Sequence, residues 1–222
     1  MRIIGHRGAR GEAPENTLGG FRYLHDLGVR AVEFDVRQLQ DGQLIVIHDD
    51  NFQRTTGRSQ HVESCDLATA QQFDHRHQWQ AWENEEYTPH LTDVMACLTE
   101  FEHIEVEIKA VADEAAAERL ILSLHNELKG FKKNATITSF DVKILTALQQ
   151  HHSHFKRGLL VEIPLGEYAI ELAQQYGCCQ LGWKDQLATD EIIKLTHQAK
   201  LDISVWTVND VERSEERRVG KE

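Results

Sequence analysis

The chain has 222 residues, with 24 Lys and Arg against 36 Asp and Glu, for a formal net charge of −12 with His neutral. With no concentrated basic run, this excludes a nucleic-acid-binding face and leaves a small phosphate-bearing molecule, met by a few placed cations, as the anionic partner it can accommodate. No apolar stretch approaches the ~20 residues of a membrane span, and 41% hydrophobic residues support the core of one large α/β domain or two small ones.

The opening residues Met1-Arg2-Ile3-Ile4-Gly5 lack the apolar core of a signal peptide, so a cytoplasmic protein is expected. Cys65, Cys97, Cys178 and Cys179 show no metal-ligand spacing and read as free thiols of a reducing compartment.

Short β-type runs alternate with helical patterns, the signature of βα units around a parallel sheet. Strands are expected over residues 2–5, 31–36, 44–47, 103–108, 135–139, 158–162, 179–183 and 203–208. The first helix should open at Pro14, carry Leu18, Phe21 and Leu24 on one face and stop near Gly28. Residues 91–101 and the segment starting at Asp113 repeat that pattern, and Asp141 and Thr189 stand where N-caps belong. Asp41-Gly42 is a tight-turn signal, so residues 44–47 should fold back on the second strand, leaving seven βα-type strands. Residues 50–90 are irregular and polar and read as a cap or insertion.

The alternation Val32-Glu33-Phe34-Asp35-Val36 puts two acids on one strand face, and the run from His103 to Lys109 puts Glu105, Glu107 and Lys109 on one side. Alternation of this kind is equally the mark of a solvated sheet face. In a parallel barrel neither face meets bulk water, and clustered carboxylates then ask for a hard divalent ion, Mg²⁺ or Ca²⁺. His6 and His48 each follow an apolar strand run and could act as general acid and base near neutral pH. His61, His75, His77, His151, His152 and His154 read as surface or insertion residues. Arg7 and Lys109 suit a phosphate oxygen or, alternatively, partner the interior acids.

The order and spacing of Gly5-His6-Arg7-Gly8, Ala13-Pro14-Glu15-Asn16-Thr17, Val32-Glu33-Phe34-Asp35-Val36, Asp41-Gly42 and His48-Asp49-Asp50 resemble the opening of the glycerophosphodiester phosphodiesterase family. Arg54-Thr55-Thr56, Glu107-Ile108-Lys109, Ser139-Phe140, Arg157-Gly158-Leu159-Leu160 and Trp206-Thr207-Val208-Asn209 are similar to later blocks of that family. The resemblance implies a TIM-type (β/α)₈ barrel, phosphatidylinositol-phospholipase-C-like, spanning residues 1–209. It also implies metal-dependent hydrolysis of a small glycerophosphodiester to sn-glycerol 3-phosphate and an alcohol. By position, His6 and His48 match the catalytic histidines, Glu33, Asp35 and Glu107 the metal ligands, and Arg7 and Lys109 the phosphate-binding cations. Trp206 matches a substrate-lining aromatic, and also fits a plain barrel-wall residue.

The sequence departs from the family in having Ala110 after the Glu-x-Lys strand, Glu105 in place of Asn, and no Gly-x-Asp-Gly-x-x-Thr-Asp segment after Asn209. Residues 210–222 are therefore expected to be a charged, non-native tail, and the barrel to lack its last βα unit. Two other functions fit these residues. One is a lysophospholipase-D-like or sphingomyelinase-D-like phosphodiesterase on the same fold; the other is a truncated, inactive barrel. No feature of the sequence sets an oligomeric state.

Overall fold

The computed structural model describes residues 1–131 and 133–210. Its eight strands are β1 (Gly5–His6), β2 (Ala31–Gln38), β3 (Leu44–Val46), β4 (His103–Ile108), β5 (Ala135–Ser139), β6 (Lys156–Val161), β7 (Gln180–Lys184) and β8 (Asp202–Trp206). Seven of them are parallel in the order β1-β2-β4-β5-β6-β7-β8, and β3 is added antiparallel to β2. Within the described residues the path does not close from β8 back to β1, so the fold is an incomplete (β/α)₈ barrel. The expectation of a foreign tail concerns residues that lie, apart from Asp210, outside the described ones.

Helices follow the strands: α1 (Leu18–Asp26), the short α2 (Gln53–Thr56) and α3 (Leu67–Ala70), α4 (Leu91–Cys97), α5 (Glu114–Glu127), α6 (Val142–Gln150), α7 (Tyr168–Gln175) and α8 (Asp190–Gln198). Asp141 and Thr189 cap α6 and α8 as expected, their side chains accepting from the N–H groups of Lys143 and Ile192. Helix α1 starts later than Pro14 suggests. Thr17 is its N-cap, accepting from Gly20 N–H, while Asn16 turns out of the helical region at φ 57°. Among the described residues no helix is long and apolar enough to cross a membrane.

The alternation in β2 and β4 resolves in favour of a doubly covered sheet. Pairing sets Glu33 beside Glu105 and Asp35 beside Glu107, so all four acids share the inner face. The outward residues Val32, Phe34, Val36, Ile104, Val106 and Ile108 are fully buried beneath the helices, with Phe21 of α1 meeting Phe34 edge-on at 5.8 Å. The inner face is nearly as dry, Asp35 being 1% exposed.

Residues 50–90, between β3 and α4, are less polar in effect than their composition. Phe52, Val62, Cys65 and Ala70 pack with Leu39, Ile45 and Ile47 into a second small apolar cluster under β3. Among the histidines read as surface or insertion residues, His75 is buried, with Nε2 2.8 Å from Thr88 Oγ1, and burial pushes its pKa down to about 4. Its ring is sheltered because the insertion folds onto itself, with the 74–77 segment bound between Thr55 and Glu86 by backbone hydrogen bonds.

Candidate active site

The predicted site residues converge at the C-terminal ends of the strands, where (β/α)₈ barrels place their chemistry. His6 ends β1, Glu33 and Asp35 come from β2, His48 follows β3, and Glu107 and Lys109 stand at the end of β4. Each carboxylate of the trio Glu33, Asp35 and Glu107 offers an oxygen within 4.8 Å of the other two.

These acids are partly, not fully, satisfied by cations. Lys109 Nζ lies 3.3 Å from Asp35 Oδ1 and also hydrogen-bonds Glu107. Arg7 Nε is 3.3 Å from Asp35 Oδ2, and the Arg7 backbone N–H donates to Glu33 Oε2 at 3.0 Å. Asn16 clamps Asp35 in both directions, its Nδ2 donating to Oδ2 at 2.9 Å while its Oδ1 accepts from the Asp35 N–H at 3.4 Å. Glu33 Oε1, in contrast, is buried with no hydrogen-bond partner among the described residues. Burial, followed by repulsion from Asp35 and Glu107, raises the Glu33 pKa well above the carboxylate range. Burial and Asp35 also raise that of Glu107, against the pull of Lys109.

An orphaned carboxylate oxygen, held with two other carboxylates in a dry cleft, is what a hard divalent cation relieves. Three oxygen donors leave the remaining coordination positions for solvent or a substrate oxygen. The donor set therefore fits Mg²⁺ or Ca²⁺ and does not resemble a sulfur or imidazole site.

The histidines flank this trio in different settings. His6 Nε2 is 3.9 Å from Glu33 Oε2 and Nδ1 is 3.4 Å from Thr207 Oγ1. Burial, followed by the Arg7 charge, lowers the His6 pKa to about 4, so the ring is neutral at pH 7. His48 Nδ1 donates to Asp49 Oδ1 at 2.7 Å, and its backbone carbonyl accepts from Arg37 Nε at 2.9 Å. Burial lowers the His48 pKa as well, with Asp35 and Asp49 opposing.

Sequence reasoning gave no role to the residues that tie these parts together. Glu15 is buried and accepts from Arg7 NH1 at 3.1 Å and from Arg54 NH2 at 2.7 Å, with Arg10 Nε at 3.2 Å. Burial acts against its charge, but the Arg54 hydrogen bonds and the Arg7 charge hold its pKa at about 2. Asp49 is likewise held at about 2, burial being outweighed by hydrogen bonds from Arg54 and His48. Asn16, Glu15, Asp49 and Arg54 sit on turns and a four-residue helix, where no periodicity marks them. The available signal was their place inside the Pro14-to-Thr17, His48-Asp49 and Arg54-Thr55-Thr56 motifs.

Trp206 ends β8 and is partly exposed on the inner side. Its Nε1 donates to the Gly182 carbonyl at 3.0 Å, and its ring meets Phe140 edge-on at 5.3 Å. A Cβ on Gly182 would come within 2.5 Å of Leu160 Cδ2, so glycine here admits the close approach of Leu160 from β6, while Trp206 Cδ1, 3.7 Å from that position, is in ordinary contact.

Solved structures with the same architecture include a phosphodiesterase of Oleispira antarctica in complex with the product sn-glycerol-3-phosphate. It matches at a TM-score of 0.90 and 22% identity, over 100% of this chain and 90% of that one. A glycerophosphodiester phosphodiesterase of Agrobacterium tumefaciens matches at a TM-score of 0.83 and 22% identity, over 99% and 92% of the two chains. In sequence, a glycerophosphodiester phosphodiesterase of Caldanaerobacter subterraneus subsp. tengcongensis is 30% identical over 168 residues, 74% of this chain and 68% of that protein. The pattern of the glycerophosphoryl diester phosphodiesterase family matches residues 6–220, and to that family this chain belongs.

Proposed function

We propose that this chain hydrolyses glycerophosphodiesters to sn-glycerol 3-phosphate and an alcohol, with Mg²⁺ or Ca²⁺ held by Glu33, Asp35 and Glu107. In this reading His6 and His48 form the acid–base pair, and Arg7 and Lys109 receive the phosphate. The observation that carries it is the unpartnered, buried Glu33 Oε1 inside a three-carboxylate cluster flanked by two histidines. The relatives' names and the glycerol phosphate in the Oleispira structure support the substrate class.

The ion, when bound, supplies Lewis-acid stabilisation of charge on a phosphate oxygen. The chain does the rest. A phosphodiester carries one negative charge and gains more on its equatorial oxygens during displacement, so fixed cations beside it favour the transition state over the ground state. Arg7 is locked for this by its backbone hydrogen bond to Glu33 and its guanidinium bond to Glu15. Lys109 is engaged by Asp35 and Glu107, and neutralising those acids makes its ammonium available to the substrate.

One imidazole takes the proton of the attacking oxygen, of water or of the glycerol hydroxyl, and the other delivers a proton to the departing alkoxide; where the glycerol hydroxyl attacks, water then opens the cyclic phosphodiester. Asp49 holds the Nδ1–H of His48, leaves Nε2 for proton transfer, and stabilises the imidazolium when it forms. Trp206, on the rim of β8, would flank the substrate beside Phe140. The four unpaired cysteines accord with our placing the chain in the cytosol.

The test is turnover of glycerophosphocholine with Mg²⁺ or Ca²⁺, with and without a chelator, using His48→Ala as control. Loss of ~10²- to 10⁴-fold in the variant is expected, and equal rates in the two proteins would remove the catalytic reading. Faster turnover of lysophosphatidylcholine would move the substrate assignment to lysophospholipids.

A further inference from the structure

Arg54 occupies a position that the reaction does not itself require. It lies on α2, within the insertion, and donates four hydrogen bonds to two carboxylates from different parts of the chain. Nε and NH2 reach Asp49 Oδ2 and Oδ1 at 2.7 and 3.1 Å, and NH1 and NH2 reach Glu15 Oε2 and Oε1 at 2.8 and 2.7 Å. The two pairs are bidentate and share one planar guanidinium, a geometry that a point charge on a flexible stem does not reproduce.

Each end of this fork leads to the reacting centre. Asp49 Oδ1 accepts from His48 Nδ1 at 2.7 Å. Glu15 Oε1 accepts from Arg7 NH1 at 3.1 Å, and Arg7 in turn touches Asp35 and Glu33. The root of the fork is fixed as well. Phe52, which precedes α2, packs edge-on against Phe73 at 4.9 Å, and the His77 N–H donates to the Thr55 carbonyl at 3.1 Å. At the end of α2, Gly57 has φ 76° and would bring a Cβ within 3.2 Å of His77 Nδ1, so the turn that aims Arg54 is closely packed.

We propose that Arg54 is a positioning residue: its fork holds Asp49 so that His48 keeps the Nδ1–H tautomer and presents Nε2, which makes the insertion a support for the acid–base histidine. The inference rests on the assignment of His48 as an acid–base group. Its physical content is rotational. A carboxylate gripped on both oxygens cannot turn its hydrogen-bonding edge away from the imidazole, whereas an ungripped one at the molecular rim can. Glu15 retains Arg7 and Arg10 when Arg54 is removed, so the phosphate-binding side should change less than the histidine side.

The experiment uses the metal-loaded full chain and two readouts. In Arg54→Ala, kcat on glycerophosphocholine should fall ~10- to 100-fold, the scale expected of a slightly misplaced group, with KM within ~3-fold of the parent. The His48 ring ¹⁵N shifts should move from a single tautomer to a mixture.

Arg54→Lys keeps a charge between the carboxylates and should melt within ~3 °C of the parent, yet retain the kcat deficit and the mixed tautomer. Should Arg54→Ala fail to fold, Arg54→Lys and Asp49→Asn carry the same readouts, and combining those two changes should cost little more than Asp49→Asn alone. A kcat that simply follows melting temperature across the series, with His48 in one tautomer throughout, would overturn the proposal. A parent protein with no turnover, but with tautomer loss in the variants, would sink the proposed function and leave the positioning role standing.

Discussion

Replacing Glu15 by Gln tests whether the loop after β1 is held by charge or by shape. Gln keeps the side-chain outline and mimics a carboxyl that has lost its charge. In the folded chain the Glu15 pKa drops from an ordinary 4.5 to about 2, and its side chain is only 10% exposed. At ~1.4 kcal/mol per pH unit, that difference makes the ionised form worth about 3 kcal/mol to the fold at neutral pH. Because the folded pKa is depressed, this contribution is present in full above pH 4.5 and is lost as the pH falls toward 2. Roughly 2 kcal/mol of it should be gone by pH 3. Urea unfolding of parent and variant at pH 7, 5 and 3 measures the difference directly. Glu33 and Glu107, whose raised pKa values favour the fold as pH decreases, act alike in both proteins and cancel. A gap below ~1 kcal/mol at pH 7, or one that stays constant down to pH 3, would refute the electrostatic account of this network.

Ion uptake should release more protons at pH 5 than at pH 7, because Glu33 and Glu107 bind protons more tightly in the ion-free cleft; calorimetry in two buffers of different ionisation enthalpy reads this, and a heat independent of buffer at pH 5 would count against the cluster. Asn16→Ala should lower stability by about 1–3 kcal/mol through the lost bond to buried Asp35, and should weaken Mg²⁺ binding, since Asp35 loses its clamp. Unchanged affinity in that variant would show that Lys109 and Arg7 alone orient Asp35. Gly19→Ala should cost about 1–3 kcal/mol of stability, because the new Cβ would sit 1.8 Å from Glu86 Oε1 and displace a carboxylate that caps the start of α1. A thermal melt matching the parent would mean the Glu86 side chain moves aside at no cost.

The strands and the main helices were legible because their signals are local. The alternation around Glu33 and Asp35 and around Glu105 and Glu107 follows from strand geometry whatever surrounds it. Caps such as Asp141 and Thr189 satisfy amides only two or three residues away, so they too can be read in line. The start of α1 was misplaced at Pro14 because the residue that decides it, Asn16, is drawn out of the helix by Asp35, nineteen positions along. A pattern confined to one segment carries no trace of that pull.

Sequence by itself determined the types of side chain available for chemistry and the strands on or just after which His6, Glu33, Asp35, His48, Glu107 and Lys109 stand. It also set which face of β2 and β4 each acid takes, since residues two apart on a strand must point the same way. Only the tertiary structure decided that this face is dry, that one oxygen of Glu33 has no partner, and that Arg54 from the insertion grips both Glu15 and Asp49. Those facts depend on parallel register between distant strands and on a loop folded against the barrel rim. Burial and charge pairing are set by what lies nearby in space, and although Asp49 is five positions from Arg54, Glu15 is thirty-nine positions away.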